Sequence, residues 1–242
     1  DPNHTGAYLD LGIIAVDQSE LLTAEGYFLK VVELTEGSEF EDVNQRREIA
    51  LFYLGEIALD DSRYEDAITY FKAALRIRRD ASDTYYLLAQ AYRGLDQYDA
   101  ALDELEIALL FDPNYPEAHF LNGEILMAQG DDINAAIHFK WAADLLPDAD
   151  PPAEALAAIG PPEQWIASGS AALSEGDTDT ALHDAIMATV LDPESVDALK
   201  FHGTVLEDIG DDSAALEVWE KAAELVPDDS DVQDAIDRLG GV

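Results

Sequence analysis

Few side chains suited to catalysis or metal binding occur in this chain, and they are widely spaced. The five histidines are scattered, and no two of them lie four residues apart, the spacing that places two metal ligands on one face of a helix. Cysteine is absent, which excludes disulfides, thiolate metal sites and cysteine nucleophiles. The sequence has no glycine-rich phosphate loop and no nucleophile elbow. We therefore predict no catalytic residue, no metal site and no cofactor, and expect that the protein is not an enzyme.

Carboxylates are abundant, but their placement is typical of helix caps. The pairs Asp131-Asp132, Asp211-Asp212 and Asp228-Asp229 fall between predicted helices. An aspartate at such a place caps the following helix and interacts with its positive dipole end. Carboxylate pairs are so frequent in this chain that a pair by itself does not indicate acid–base chemistry.

The net charge limits the kind of partner. The 242 residues include 52 acidic and 13 basic side chains, a formal net charge of −39. Such a surface repels phosphates, so we expect neither nucleic acid nor an anionic membrane as a partner of these residues. The acidity suits either a partner with a basic face or solubility, including solubility in concentrated salt, and we favour solubility.

The sequence is compatible with more than one cellular compartment. No apolar run approaches the roughly 20 residues that cross a bilayer. The chain begins at Asp1 without an initiator methionine, which we interpret as the mark of a trimmed or processed product. A cytoplasmic protein, an extracytoplasmic tethered domain and a protein from a salt-adapted or acid-biased proteome all fit.

Any site must be positioned by a pair of helices that recurs along the chain. In the clearest copy, a first helix is predicted over about 82–95 and a second helix follows a short turn. Small residues stand where the two helices cross, and large residues fill the space that they leave. The residues that carry this pattern are Tyr85, Leu88, Ala89, Tyr92, Ala101, Leu105, Ala108 and Pro113.

This spacing resembles the tetratricopeptide repeat (TPR), whose period is 34 residues. The resemblance implies an all-α fold, a right-handed α-solenoid of about six helix-turn-helix repeats with a C-terminal capping helix. The copies are expected at 5–38, 48–81, 82–115 and 116–149, with two more in 162–229 and the cap in 230–242. His119 and His202 fall at repeat positions that normally pack into the helix pair, so we expect both in the core.

The repeats depart from even spacing at two places. About nine residues are inserted around 37–45, and a stretch at 150–161 has paired prolines at both ends. We interpret Pro152 to Ile159 as an extra helical turn or two that separates 1–149, with four repeats, from 162–229, with two. In repeat five Ala185 stands where the family has a large residue, so looser packing is expected there.

The resemblance also implies where a partner would bind. In the family, the first helix of each repeat lines a concave groove. Phe52, Tyr86 and Phe120 would form an aromatic row along it, unless they pack against the neighbouring first helices and are mostly hidden. The residues predicted to face the groove are Phe52, Glu56, Tyr86, Gln90, Arg93, Phe120, Glu124, Met127 and Ile166.

The function implied is a protein–protein interaction scaffold or adaptor that binds a peptide or protein segment in this groove. The Lys and Asn pattern of family members that clamp chaperone tails is missing, so the segment is expected to be apolar or basic. One alternative is a self-assembling structural protein, which would make a homo-oligomer. Another is the soluble binding domain of a larger membrane-tethered protein.

Basic residues are concentrated in one region. Residues 46–93 carry eight basic and eight acidic side chains, whereas residues 94–242 carry four basic and 34 acidic ones. The basic region could dock an acidic partner or the acidic half of another copy. We favour the simpler interpretation that these arginines are solvated.

Overall fold

A computed structural model describes residues 4–240, and within that range every regular element is an α-helix. The predicted all-α repeat fold is therefore confirmed. The chain divides into two compact units, the first ending at Ile125 and the second beginning at Leu126.

The first unit contains α1 to α6 and the first turns of α7. Neighbouring helices pack as antiparallel pairs, α1 with α2, α3 with α4 and α5 with α6. The first helices also contact one another, α1 with α3 and α3 with α5. The bounds are α1 Thr5–Asp17, α2 Leu21–Thr35, α3 Glu41–Asp60, α4 Tyr64–Leu75, α5 Ser82–Gly94, α6 Tyr98–Phe111 and α7 Pro116–Gln129.

The second unit contains the end of α7 and the helices that follow it. Here α10 pairs with α11, α12 pairs with α13, and α14 packs on α13 as a cap. The bounds are α8 Asp132–Leu145, α9 Asp150–Ile159, α10 Pro162–Glu175, α11 Thr178–Leu191, α12 Val196–Asp208, α13 Asp212–Leu225 and α14 Ser230–Gly240.

In repeats one, two and six, a glycine on the first helix faces a ring on the second helix of the same repeat. A Cβ added at Gly55 would overlap the ring of Phe71, which is fully buried. In the same way a Cβ at Gly203 would lie 2.6 Å from Cε2 of Trp219. The absence of a side chain thus lets the two helix axes approach, and the large ring fills the space between them.

A left-handed residue stands at the same place in the turn within each repeat. It is Ser19, Ser62 and Asp96 in the first three repeats, with φ of 61°, 57° and 56°. In the last three repeats it is a glycine with φ of 84°, 80° and 81°, at positions 130, 176 and 210. Only glycine adopts this conformation without a steric cost.

The two insertions are helical. The first lengthens α3, which begins at Glu41, about two turns before the expected repeat start at Glu48. The second forms α9, which has a buried proline, Pro152, in its first turn and packs on α8. Helices α8, α9, α10 and α11 all lie in the second unit.

The acidic turn residues cap helices, as predicted. The side chains of Asp131 and Asp211 accept hydrogen bonds from the backbone N–H groups of Asn134 and Ala214, at 3.3 and 3.1 Å. Asp229 accepts one from Val232 N–H at 3.2 Å. In residues 4–240 no helix has the length and apolar character needed to cross a bilayer.

Candidate functional site: the face formed by the first helices

The groove residues predicted in the first unit lie on α3, α5 and α7, and none of them is fully buried. Phe52, Glu56, Tyr86 and Gln90 are half-buried, and Arg93 is exposed. Leu54, Leu88 and Ala89, which lie between them in the sequence, are buried in the core. The helical period thus separates a core-facing side of each first helix from a side that is accessible.

The aromatic rings on this face also contact their neighbours. The Phe52 ring packs edge-on against Tyr53 and Phe71, with centroids 5.9 and 6.3 Å away. The Tyr86 ring is tilted against Tyr115 at 5.0 Å. These contacts fix the ring orientations at the edge of the core, so the rings are preorganised rather than freely mobile. The use of this row by a partner stays a prediction.

The polar residues give the face a negative potential. Arg93 is neutralised by Glu124, since its Nη1 lies 3.0 Å from Oε2 of that carboxylate. Burial raises the pKa of the Tyr86 phenol above its usual value, and the nearby carboxylates of Glu117 and Glu124 raise it further. A cationic or neutral segment would therefore be tolerated here better than an acidic one.

A small pocket opens on the same face, between the first helices of the first three repeats. Its volume is about 200 Å³. Most of its walls are aliphatic or aromatic, and Glu56 is half-buried among them. The lining residues are Val16, Leu21, Tyr53, Glu56, Ile57, Leu59, Asp60, Leu87 and Gln90.

Glu56 has no cationic partner among residues 4–240. Burial raises the pKa of its carboxyl to about 7, and the charges of Asp60 and Asp83 add to this rise. The prediction from sequence included Glu56 but not the pocket beside it. The sequence signal for this pocket was a pair of apolar residues, Val16 and Leu59, at equivalent positions of repeats one and two.

Two of the predicted groove residues belong to the second unit. Met127 is exposed at 37% and Ile166 on α10 is half-buried. Both side chains are accessible within their own unit.

A wider groove was not predicted. It has a volume of about 1330 Å³ and lies between the added turns of α3 and the connection from α4 to α5. Arg47, Arg76 and Arg79 line it, and among the described residues none of the three has a carboxylate within ion-pair distance. Arg78 differs, because its Nε lies 3.0 Å from Oε1 of the buried Glu48. Exposed carboxylates also line the groove, at Glu39, Glu41, Asp42 and Asp80.

The second unit contains a histidine held between two carboxylates. The Nε2 atom of His183 lies 2.9 Å from Oδ1 of Asp132, and its Nδ1 lies 3.0 Å from Oδ1 of Asp184. Both ring nitrogens can donate only when the ring is protonated. Burial alone would lower the pKa of His183, but the bonds to Asp132 and Asp184 and their charges together raise it.

This cluster joins α8 to α11 and was missed from sequence. Asp132 and His183 are 51 residues apart, and no motif links them. The ring of Trp165 packs edge-on against His183 with centroids 5.8 Å apart. The Trp165 Nε1 and the Asp184 Oδ2 are buried without a hydrogen-bond partner in the described part of the chain.

The other histidine predictions have mixed outcomes. His119 is buried, and its Nε2 lies 3.1 Å from the Pro113 carbonyl oxygen, as expected for a core histidine. His202 is only half-buried. Within residues 4–240 no three His, Asp or Glu side chains converge as metal ligands would.

Comparison with known proteins identifies the repeats. Two family models described as tetratricopeptide repeat match the chain, one over residues 9–83 and the other over residues 58–121. Residues 9–121 of the protein are built of tetratricopeptide repeats. These matches lie within the first unit, and the second unit also contains paired helices, α10 with α11 and α12 with α13.

One curated TPR protein is similar over a short stretch. A tetratricopeptide repeat and J domain-containing co-chaperone of Cryptococcus neoformans var. grubii is 29% identical over 82 residues. That stretch is 34% of this chain and 16% of the co-chaperone, so this chain spans only a small part of that relative's length.

Solved TPR structures share the fold. MamA 41-end from Desulfovibrio magneticus RS-1 is 24% identical with a TM-score of 0.52, covering 61% of this chain and 78% of that one. The APC/C hetero-tetramer Cut9-Hcn1 is 16% identical with a TM-score of 0.52, covering 99% of this chain and 43% of that one. At these identities the likeness shows the fold alone.

Proposed function

We propose that this protein is a binding scaffold whose first-helix face in the first unit takes up an apolar or basic segment of a partner protein. The observation that carries the proposal is the row of half-buried groove residues on α3, α5 and α7, from Phe52 through Tyr86 to Phe120. Rings that are held by the core and remain partly accessible are typical anchors of protein recognition.

Charge supports the basic or apolar character of the partner segment. Glu56 lies near Asp60 and Asp83, and Tyr86 lies near Glu117 and Glu124, whereas Arg93 is neutralised by its own glutamate. An acidic segment would meet like charges along most of the row.

Affinity capture from a lysate of the source organism tests the proposal. The double variant Tyr86→Ala with Phe120→Ala should lose the proteins captured by the wild type and should keep its helical circular dichroism. The matched control is Leu22→Ala with Leu110→Ala, because these side chains are 83% and 75% exposed on second helices. Equal capture by the groove variant and the wild type contradicts the proposal.

Self-association is a second candidate function, favoured by the three arginines without carboxylate partners in the wide groove. The carboxylates of another copy would satisfy them. Light scattering across a salt series tests this candidate. It predicts dimers at low salt that dissociate as salt is added, and a monomer throughout contradicts it.

A further inference from the structure

The small pocket on the first-helix face has the size and chemistry of a receptor for one long side chain. Its volume of about 200 Å³ is enough for one long side chain and is smaller than the usual pocket for a small-molecule ligand. Val16 on α1, Leu59 on α3 and Leu87 on α5 supply apolar walls from three successive repeats. A straight aliphatic stem could lie against these walls over its whole length.

The acidic end of the pocket suits a cationic group. Glu56 is half-buried, and among the described residues no basic side chain pairs with it or with Asp60. The charged groups that act on it come from its own helix, at Asp60, and from α5, at Asp83, and both are acidic. A half-buried carboxylate without a cation is partly desolvated, which is unfavourable, and a guanidinium or ammonium group would offset that cost.

We infer that this pocket binds an arginine or lysine side chain of the partner, with its stem between Val16, Leu59 and Leu87 and its cationic end at Glu56. The inference rests on the proposed function, since the pocket belongs to the same face. It adds that the partner segment has a basic residue as its anchor.

Proton release accompanies this binding. A carboxyl with a pKa of about 7 is roughly half protonated at neutral pH, and it must lose that proton to pair with a cation. Affinity should therefore rise about tenfold from about pH 6 to about pH 8 and then level off.

The probe is N-butylguanidinium, which reproduces the end of an arginine side chain, titrated against the whole chain and followed by amide NMR. Shifts should concentrate at Leu59, Leu87 and Gln90, with the stated pH dependence. Glu56→Gln should abolish the pH dependence. The control Glu106→Gln, an exposed glutamate on the second helix α6 and outside the groove, should leave it unchanged.

A steric variant separates the pocket from the charge. Val16→Phe fills the space without changing any ionisable group, so it should weaken probe binding at Glu56 while circular dichroism stays constant. Shifts that avoid the pocket, or an unchanged pH dependence in Glu56→Gln, overturn the inference. If Glu56→Gln captures partners as well as wild type does, no basic residue of the partner is anchored at Glu56. That result leaves the proposed binding face unaffected. Capture that survives the loss of Tyr86 and Phe120 contradicts the proposed function itself.

Discussion

Repeat two and repeat five fill the same space between their helices in different ways. In repeat two Gly55 faces Phe71, a ring from the second helix of the same repeat. In repeat five the equivalent second-helix residue is Ala185, and Gly169 instead faces Phe201, on the first helix of repeat six. Looser packing was expected beside Ala185, but the ring of Phe201 from the next repeat fills the space there. Repeat five therefore depends on its neighbour for closure, whereas repeat two does not.

The two units can be followed separately. Trp141, Trp165 and Trp219 are the three tryptophans of the chain, and all of them lie in the second unit. Tryptophan fluorescence therefore reports unfolding of the second unit, whereas circular dichroism reports helices in both. Comparing the two signals in urea shows which unit a substitution destabilises.

The largest expected effect is that of Phe71→Ala. Removal of this fully buried ring should lower the free energy of unfolding of the first unit by about 3–5 kcal/mol. Phe201→Ala should lower that of the second unit by about 3 kcal/mol or less, because its ring is only half-buried. Circular dichroism should detect the first loss and tryptophan fluorescence the second. No fluorescence shift in Phe201→Ala would show that repeat five does not depend on this ring.

An added methyl group should have the next largest effect. A Cβ at Gly169 would lie 2.7 Å from Cζ of Phe201 and 2.9 Å from Cβ of Asp184. Gly169→Ala should therefore destabilise the second unit by about 1–3 kcal/mol. Gly26→Ala is the matched control, since nothing lies within 4 Å of a Cβ there and alanine favours a helix. A fluorescence-detected urea midpoint of Gly169→Ala equal to that of wild type would refute the close contact of Gly169 with Phe201.

The left-handed turns should give smaller effects of opposite sign. Gly176→Ala places a Cβ at φ of 80° and should cost the second unit about 1 kcal/mol. Ser62→Gly relieves the same strain in the first unit and should raise its stability by a few tenths of a kcal/mol, because the more flexible unfolded chain offsets part of the gain. Urea unfolding measures both. A stabilising Gly176→Ala would contradict the assigned conformation.

The smallest expected effect is a pH dependence confined to the second unit. The folded pKa of His183 is raised, so its bridge contributes fully below the unfolded value of about 6.5 and is lost as pH rises through the folded value. The contribution should be about 1 kcal/mol or less, because the side chain is partly exposed.

His183→Gln should flatten the pH profile of fluorescence-detected unfolding. His202→Gln provides a control of opposite sign, since burial, followed by the charge of Lys221, lowers the pKa of His202. A His183→Gln profile as steep as that of wild type would exclude the bridge.

The spacing of large and small residues along the sequence predicted the helices well, as α5 illustrates. The first helix expected over 82–95 is α5, Ser82–Gly94, because its large and small residues alternate at the helical period and its turn residues end it. The aspartate caps were equally local. The first insertion, expected around 37–45, coincides with the added turns of α3 from Glu41, and residue spacing alone did not predict that these residues are helical.

Contacts between distant segments could not be predicted. His183 meets Asp132 because α8 packs on α11, an arrangement that residue spacing does not encode. The closure of Gly169 by Phe201 depends on how repeats five and six stack. The pocket at Glu56 likewise needs three first helices, although each of its wall residues occupies an ordinary repeat position.

Hydrogen exchange of the captured complex shows whether the first-helix face of the first unit is the binding surface. We expect slower exchange in α3 and α5 around Glu56, Tyr86 and Gln90, with α4 and α6 unchanged on partner binding. Protection confined to α4 and α6, or to the second unit alone, would contradict it.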